Sequence, residues 1–279
     1  MDQRQNFEGL RVAAFESRMA GEMAGLIARH GGEPLVAPSL REIPLKDHHE
    51  ALQFGEQLLA GRIDMLILLT GVGTGTLVEV LETAHPRDAI IAALRRVTLV
   101  ARGPKPISAL KKLGLAPQIT VPEPNTWRDL LGVLEGSVAG KMIAVQEYGV
   151  SNEEFLHELL ARGAFVTPVR IYRWALPDDL APLRQVLGAI LEGRVAVVLV
   201  TNAAQVDHVE QVLAQDGTLD RFRDALRRTV VGSIGPTASE RLRLRGWPVD
   251  LEPSHPKMGL LVKETSERAR TLLDRKRSA

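Results

Sequence analysis

The chain contains no cysteine. That removes disulfides, thiol nucleophiles and cysteine-ligated metals together. It also has almost no net charge: 35 Lys and Arg against 34 Asp and Glu give +1. No global field directs it to nucleic acid or to a membrane surface, so an anionic ligand has to be held by local geometry. No stretch approaches the roughly 18 consecutive apolar residues of a membrane span. The opening residues, MDQRQNFEGLRVAAF, lack the apolar segment of a secretory signal, so a cytoplasmic protein is expected. The seven histidines (30, 48, 49, 85, 157, 208 and 255) form neither an HExxH nor an HxH pattern, and no metal is expected. His48-His49 reads as part of a polar linker. There is no GxSxG elbow and no P-loop lysine pattern. Gly71-Val72-Gly73-Thr74-Gly75 falls short of a dinucleotide fingerprint, because Thr76 stands where that pattern needs glycine.

What remains is an ordinary globular composition, 45% hydrophobic and 25% charged over 279 residues, enough for one large domain or two smaller ones. The chain also repeats itself. Gly9–Ala14 resembles Gly140–Val145, and Ala28-Arg29 resembles Ala161-Arg162. Gly61-Arg62-Ile63 resembles Gly193-Arg194-Val195, and Ala93-Leu94-Arg95-Arg96 matches Ala225-Leu226-Arg227-Arg228. Gly103-Pro104 matches Gly235-Pro236. The separations run from 131 (Gly9 to Gly140) to 133 (Ala28 to Ala161), in order along the chain. We read two homologous halves with a boundary near Ala139.

Each half predicts the same succession of elements. A short strand (Arg11–Phe15 or Met142–Val145) precedes a helix. Met19, Met23, Leu26, Ile27 and His30 mark the first such helix; Ser151 and Glu154, at capping-box spacing, open the second. A second strand follows (Pro34–Arg41 or Phe165–Tyr172), then a helix (Leu52–Leu59 or Leu183–Leu191). A buried strand comes next (Met65–Leu69 or Val195–Val200), then a helix (Leu77–Leu81 or Val206–Leu213) and another buried strand (Val97–Ala101 or Thr229–Ile234). A Gly-Pro helix, a short strand (Ile119–Val121 or Val249–Leu251) and a last helix close each half. The fold class is α/β: two similar domains with parallel sheets flanked by helices. Ligands of such sheets bind beyond the carboxyl ends of the strands.

Four strand-to-helix junctions therefore matter: Thr70-Gly71-Val72-Gly73, Arg102-Gly103-Pro104, Thr201-Asn202-Ala203 and Gly235-Pro236-Thr237. Glycine lets a ligand approach the backbone, and proline suits a first helical turn. The N–H groups and dipole at such helix starts attract anions, carboxylates included. Taken singly, each junction is equally a tight αβ turn. Arg18, just past the first strand, is either a carboxylate partner or a solvated helix-start arginine. Tyr172, one of only two tyrosines, is either a proton donor or a strand aromatic.

The Thr-containing strand end, the Gly-Pro helix start, the Val121-Pro122-Glu123 segment, the Tyr strand between halves and the closing Ile234-Gly235-Pro236-Thr237-Ala238 together resemble the uroporphyrinogen-III synthase family. The resemblance spans about Leu10 to Leu261. It implies two α/β domains, residues 1–38 with 173–279 and residues 42–168, joined by a two-stranded linker of Leu35–Arg41 and Val166–Tyr172. The active site it implies lies in the cleft between them. The implied reaction cyclises hydroxymethylbilane to uroporphyrinogen III, with loss of water and inversion of ring D, and with no cofactor or metal. The implied partner is a small molecule, the linear tetrapyrrole, with no nucleic acid and no membrane, and the protein is expected to be a monomer. By the same resemblance Tyr172 assists departure of the hydroxyl, and Thr237 matches the family threonine at the closing helix start. Arg18 and Thr201 would contact carboxylates. Three positions depart from the family pattern: Leu69-Thr70-Gly71 stands for Phe-Thr-Ser, Asn202 for a serine, and Arg102 for a small residue. A non-catalytic tetrapyrrole or small-anion binder on the same scaffold is the other reading, and a nucleotide-binding enzyme using Gly71–Gly75 a third.

Overall fold

The structure, a computed structural model, describes residues 6–44, 48–147 and 151–278. The first half runs β1 (Arg11–Ala14), α1 (Ala20–Arg29), β2 (Glu33–Val36), β3 (Arg41–Pro44), α2 (His49–Leu59), β4 (Met65–Leu68), α3 (Gly71–Glu82), α4 (Arg87–Leu94), β5 (Thr98–Ala101), α5 (Pro104–Lys112), β6 (Ile119–Thr120) and α6 (Trp127–Val133). The second runs β7 (Met142–Gln146), α7 (Glu153–Ala161), β8 (Phe165–Val169), β9 (Tyr172–Ala175), α8 (Ala181–Leu191), β10 (Val197–Val200), α9 (Ala203–Gln215), α10 (Leu219–Leu226), β11 (Val230–Ser233), α11 (Pro236–Leu244) and α12 (Met258–Ser278). The two successions match element for element, except that the counterpart of β6 is a single bridge between Gly232 and Leu251.

The chain divides into two compact units, Met1–Arg41 with Ala175–Ala279, and Glu42–Trp174. In the first, a parallel sheet has the order β11-β10-β1-β2; in the second, a parallel sheet has the order β6-β5-β4-β7-β8. Counterpart strands occupy the same places. Each sheet is thus built from three consecutive elements of one half, β1-α1-β2 or β7-α7-β8, beside the later strands of the other half. The two passages of the chain between units, β3 and β9, pair as a two-stranded sheet.

Burial explains why these runs are strands in the interior of a sheet. β4 reads MLIL and β10 reads VVLV, and all eight residues are buried. Alternate side chains serve opposite faces, as the two-residue period of a strand requires. In the Glu42–Trp174 unit, Leu66, Leu68, Leu99 and Ala144 pack with α2, α3 and α4, while Met65, Ile67, Val100 and Ile143 pack with α6 and α7. In the other unit, Ala13, Val198, Val200 and Val231 pack with α8, α9 and α10, while Val12, Val197, Leu199 and Val230 pack with α1 and α12.

Several sequence expectations need correction. The linker strands are β3 and β9, not Leu35–Arg41 and Val166–Tyr172; Glu33–Val36 and Phe165–Val169 are instead taken up into the domain sheets, paired with β1 and β7. The helix expected at Leu77–Leu81 begins earlier, with Gly71–Gly75 already inside α3, because the Thr70 hydroxyl accepts from the Gly73 N–H and starts the helix there. α7 is capped by Asn152, whose side chain accepts from the Phe155 N–H, so Ser151 and Glu154 form no capping box; Ser151 bonds Glu147 instead. His48 occupies the cap position of α2 and His49 begins that helix, so neither belongs to a linker. Two further helices, α4 and α10, occupy stretches not assigned from periodicity.

Candidate functional site

In each sheet the chain leaves two central neighbours in opposite directions, β1 and β10 in one unit, β4 and β7 in the other. The carboxyl ends of such pairs are where open α/β sheets receive ligands.

At β1 and β10, Thr201 follows the strand. Its N–H donates to Gln205 Oε1 (2.9 Å), its hydroxyl donates to Glu16 Oε2 (2.5 Å), and the same hydroxyl accepts from Gln205 Nε2 (2.8 Å). The second oxygen of Glu16 accepts from the Met19 N–H at 3.3 Å. Asn202 caps α9 by accepting from the Ala204 N–H (2.9 Å), and Ala203 is the first residue of that helix. Both are half-buried, whereas Arg18 is exposed. One strand over, Gly235 caps α11 in extended backbone, Pro236 holds its first position, and Thr237 is exposed. Behind these groups His208, on α9, sets Nδ1 3.1 Å from the Ser39 carbonyl oxygen. Burial pushes its pKa below the ordinary 6.5, against the opposing pull of that carbonyl and of Asp207.

At β4 and β7, Thr70 caps α3, and its N–H donates to Gln146 Oε1 (3.3 Å). Gln146 is fully buried and returns a hydrogen bond from Nε2 to the Glu147 carbonyl (2.5 Å). Gly71 and Gly73 are glycines because of space, not backbone angle. A Cβ on Gly71 would lie 2.6 Å from the Lys105 carbonyl oxygen, and one on Gly73 would lie 2.1 Å from Gln146 Nε2. The first turns of α3 and α5 thus meet. Val72 points outward, 39% exposed. Gly103 caps α5 in extended backbone, with Pro104 at its first position, and a Cβ on Gly103 would meet Asn125 Oδ1 at 2.7 Å. The half-buried Arg102 donates its N–H to the Leu68 carbonyl (3.1 Å). Behind them the buried Glu147 accepts from Ser151 Oγ (2.5 Å) and lies 3.4 Å from Arg170 Nε.

The structure therefore groups the anticipated residues as two sets within units. Thr70, Gly71, Val72 and Gly73 adjoin the Arg102-Gly103-Pro104 turn in one. Thr201, Asn202 and Ala203 occupy the end of β10 in the other, with Gly235, Pro236 and Thr237 at the end of the neighbouring β11. Tyr172 opens β9, and its side chain lies outside the described residues. Sequence reasoning missed Glu16, Gln205, Gln146 and Glu147. The repeat carried a signal for the acids: Glu16 and Glu147 stand 131 residues apart, the Gly9-to-Gly140 spacing, each just past the strand that opens its half. The glutamines carried none, since they trade places. Superposing β10 on β4 sets Gln205 opposite Gly73, and superposing β1 on β7 sets Phe15 opposite Gln146. Each unit keeps one carboxamide against a junction N–H, from the helix in one case and from the strand end in the other.

Chemically, these ends offer helix N-termini, capping hydroxyls and amides suited to a polar, anionic small molecule. Among the described residues no group of three or more His, Asp and Glu side chains is placed to hold a metal ion, and no helix is long and apolar enough to cross a membrane.

The family model for uroporphyrinogen-III synthase HemD matches residues 21–263. The YjjA protein of Bacillus subtilis (strain 168) is 28% identical over 264 residues, 93% of this chain and 96% of that protein. A mutant uroporphyrinogen III synthase of the extremely thermophilic bacterium Thermus thermophilus superposes with a TM-score of 0.71 at 25% identity, covering 94% of this chain and 99% of that one. The uroporphyrinogen-III synthetase of Helicobacter pylori 26695, at 12% identity, shares the fold, with a TM-score of 0.53 over 92% of this chain and 98% of that one. The matched residues run from α1 into α12, through both sheets and all four helix-start junctions, and by that match the chain belongs to the uroporphyrinogen-III synthase family.

Proposed function

We propose that the protein is a lyase that cyclises hydroxymethylbilane to uroporphyrinogen III, releasing water and inverting ring D. The observation that carries this reading is the family match over residues 21–263. The chemistry of the strand ends supports it. The substrate is a polyacid, while the protein has a net charge of only +1, so its carboxylates need local hosts. The starts of α3, α5, α9 and α11 are such hosts, each charge–dipole contact contributing about 0.3–1 kcal/mol at exposed sites. Under this reading Thr70, Gly71, Val72, Gly73, Arg102, Gly103 and Pro104 contact substrate from one unit. Arg18, Thr201, Asn202, Ala203, Gly235, Pro236 and Thr237 do so from the other, and Tyr172 protonates the departing hydroxyl. Ring closure without an enzyme gives the uninverted isomer, so the protein's contribution is chiefly orientation. The reading calls for no cofactor, metal, nucleic acid or membrane, and for a cytoplasmic monomer.

The test is incubation of the purified protein with hydroxymethylbilane and chromatographic separation of the type I and type III isomers. Excess type III is expected. Type I alone rejects the reading, and tight binding without turnover replaces it with that of a non-catalytic tetrapyrrole binder. Tyr172→Phe should lower turnover while leaving thermal stability in place; an unchanged rate removes Tyr172 from the chemistry.

A further inference from the structure

The acids at the two sheet ends occupy matching places in the repeat but differ in how they are held. Glu147 is buried, its side chain 5% exposed, and a cation stands beside it: Arg170 Nε lies 3.4 Å away, in a guanidinium that also meets Glu50 at 3.2 Å. Glu16 is half-buried, and among the described residues its hydrogen-bond donors are a backbone N–H and the Thr201 hydroxyl, neither of them charged. An ionised carboxylate has about four acceptor positions, and those two donors use half of them. A carboxylate so placed repels the carboxylates of a polyacid. It also engages the Thr201 proton that would otherwise be offered to one.

We propose that Glu16 is a substrate-contacting residue that seats the pyrrole N–H groups of the tetrapyrrole, not its acid side chains, at the end of β1. This rests on the proposed synthase reading. Pyrrole N–H groups are donors without acceptor capacity, the complement of an open carboxylate flanked by neutral donors. The same charge has a second effect. When the terminal hydroxymethyl carbon–oxygen bond breaks, the oxygen leaves with its electron pair and an added proton as water. The carbon is left as a cation delocalised onto its ring nitrogen. A nearby carboxylate stabilises that cation more than the neutral reactant. Gln205 acts as a positioning residue, because its Nε2 holds the Thr201 hydroxyl that donates to Glu16.

The experiment compares wild type, Glu16→Gln and Glu16→Asp with hydroxymethylbilane, measuring kcat, KM, the isomer ratio and the thermal midpoint. Glu16→Gln keeps the shape but removes the charge, and is expected to lower kcat about a hundredfold, the lower end of the scale on which single pre-placed groups act. KM should change little, because the weaker seat for the N–H groups and the relieved repulsion of the polyacid oppose each other. Glu16→Asp retains the charge and should recover part of kcat. A wild-type kcat in a folded Glu16→Gln overturns the proposal, as does a raised KM with kcat intact. If Glu16→Gln fails to fold, Glu16→Asp decides alone: a reduced kcat with type III still formed supports the proposal, and a wild-type kcat overturns it. If wild type itself forms no type III isomer, the synthase reading falls and takes this inference with it; if wild type succeeds and the variants match it, the inference falls alone.

Discussion

Placing alanine at Gly73 and at Gly75 should move stability in opposite directions, although the two glycines lie two residues apart in the first turns of one helix. A Cβ at Gly75 meets nothing within 4 Å, so Gly75→Ala gains only the helical advantage of alanine, about 0.5–1 kcal/mol. A Cβ at Gly73 would sit 2.1 Å from Gln146 Nε2 and 2.4 Å from its Cδ. The amide has to move, yet it is fully buried and holds both the Thr70 N–H and the Glu147 carbonyl. Leaving such a buried group unpaired costs about 1–3 kcal/mol, and forced overpacking costs a similar amount. Against these stands the gain of up to about 1 kcal/mol in helix propensity. Gly73→Ala is therefore expected to destabilise by about 1–5 kcal/mol. Urea unfolding followed by tryptophan fluorescence suits the measurement, because Trp127 and Trp174 both lie in the affected unit. Adding Gln146→Ala to Gly73→Ala removes the clash, so the double variant should lose less than the sum of the singles. Additive losses, or a Gly73→Ala variant as stable as Gly75→Ala, would refute the argument that side-chain volume selects glycine at position 73.

Two further outcomes follow from the site. His208 is kept neutral by burial, with its pKa below 6.5. Below about pH 6.5 the unfolded chain therefore takes up a proton that the folded chain refuses, so stability held above that pH is lost as pH falls toward the folded-state value. The melting profile of His208→Gln should be flatter than wild type in that window, and parallel profiles would exclude His208 as the cause. Thr237 is exposed at the start of α11. Under the synthase reading, Thr237→Ala should weaken substrate binding by about 0.5–1.5 kcal/mol, the net contribution of one hydrogen bond, and an unaltered KM counts against contact there.

Much of the architecture was legible in the residues. The apolar runs of β4 and β10 announced interior strands, and the matched Gly-Pro pairs announced α5 and α11. Boundaries set by tertiary partners were not legible. Phe165–Tyr172 reads as one extended run, yet only contact with β7 decides that Val169 ends one strand and Tyr172 begins another. The Gly71–Gly75 run stands ahead of the helix expected at Leu77–Leu81; the Thr70 cap and the close approach of Lys105 and Gln146 make it part of the helix. At the sheet ends, the junctions were visible because glycine and proline punctuate them. The groups that occupy them were not. Glu16 and Thr201 are 185 positions apart, and no local pattern brings them together. Gln146 and Gln205 do similar work from unlike places in the repeat, so aligning the halves hides them.

The exchange of β1-α1-β2 and β7-α7-β8 between sheets has a consequence for biosynthesis. As the polypeptide emerges from the ribosome, the Glu42–Trp174 unit is available as one continuous stretch and can close its sheet as soon as Val169 is free to dock on β7. The amino-terminal segment is made first but completed last, because Val12 has to wait for Val197 to be translated before it gains its central neighbour. Until then a strand whose Val12, Ala13 and Ala14 end fully buried has β2 alone beside it, and one of its apolar edges stays open to the nascent chain's surroundings.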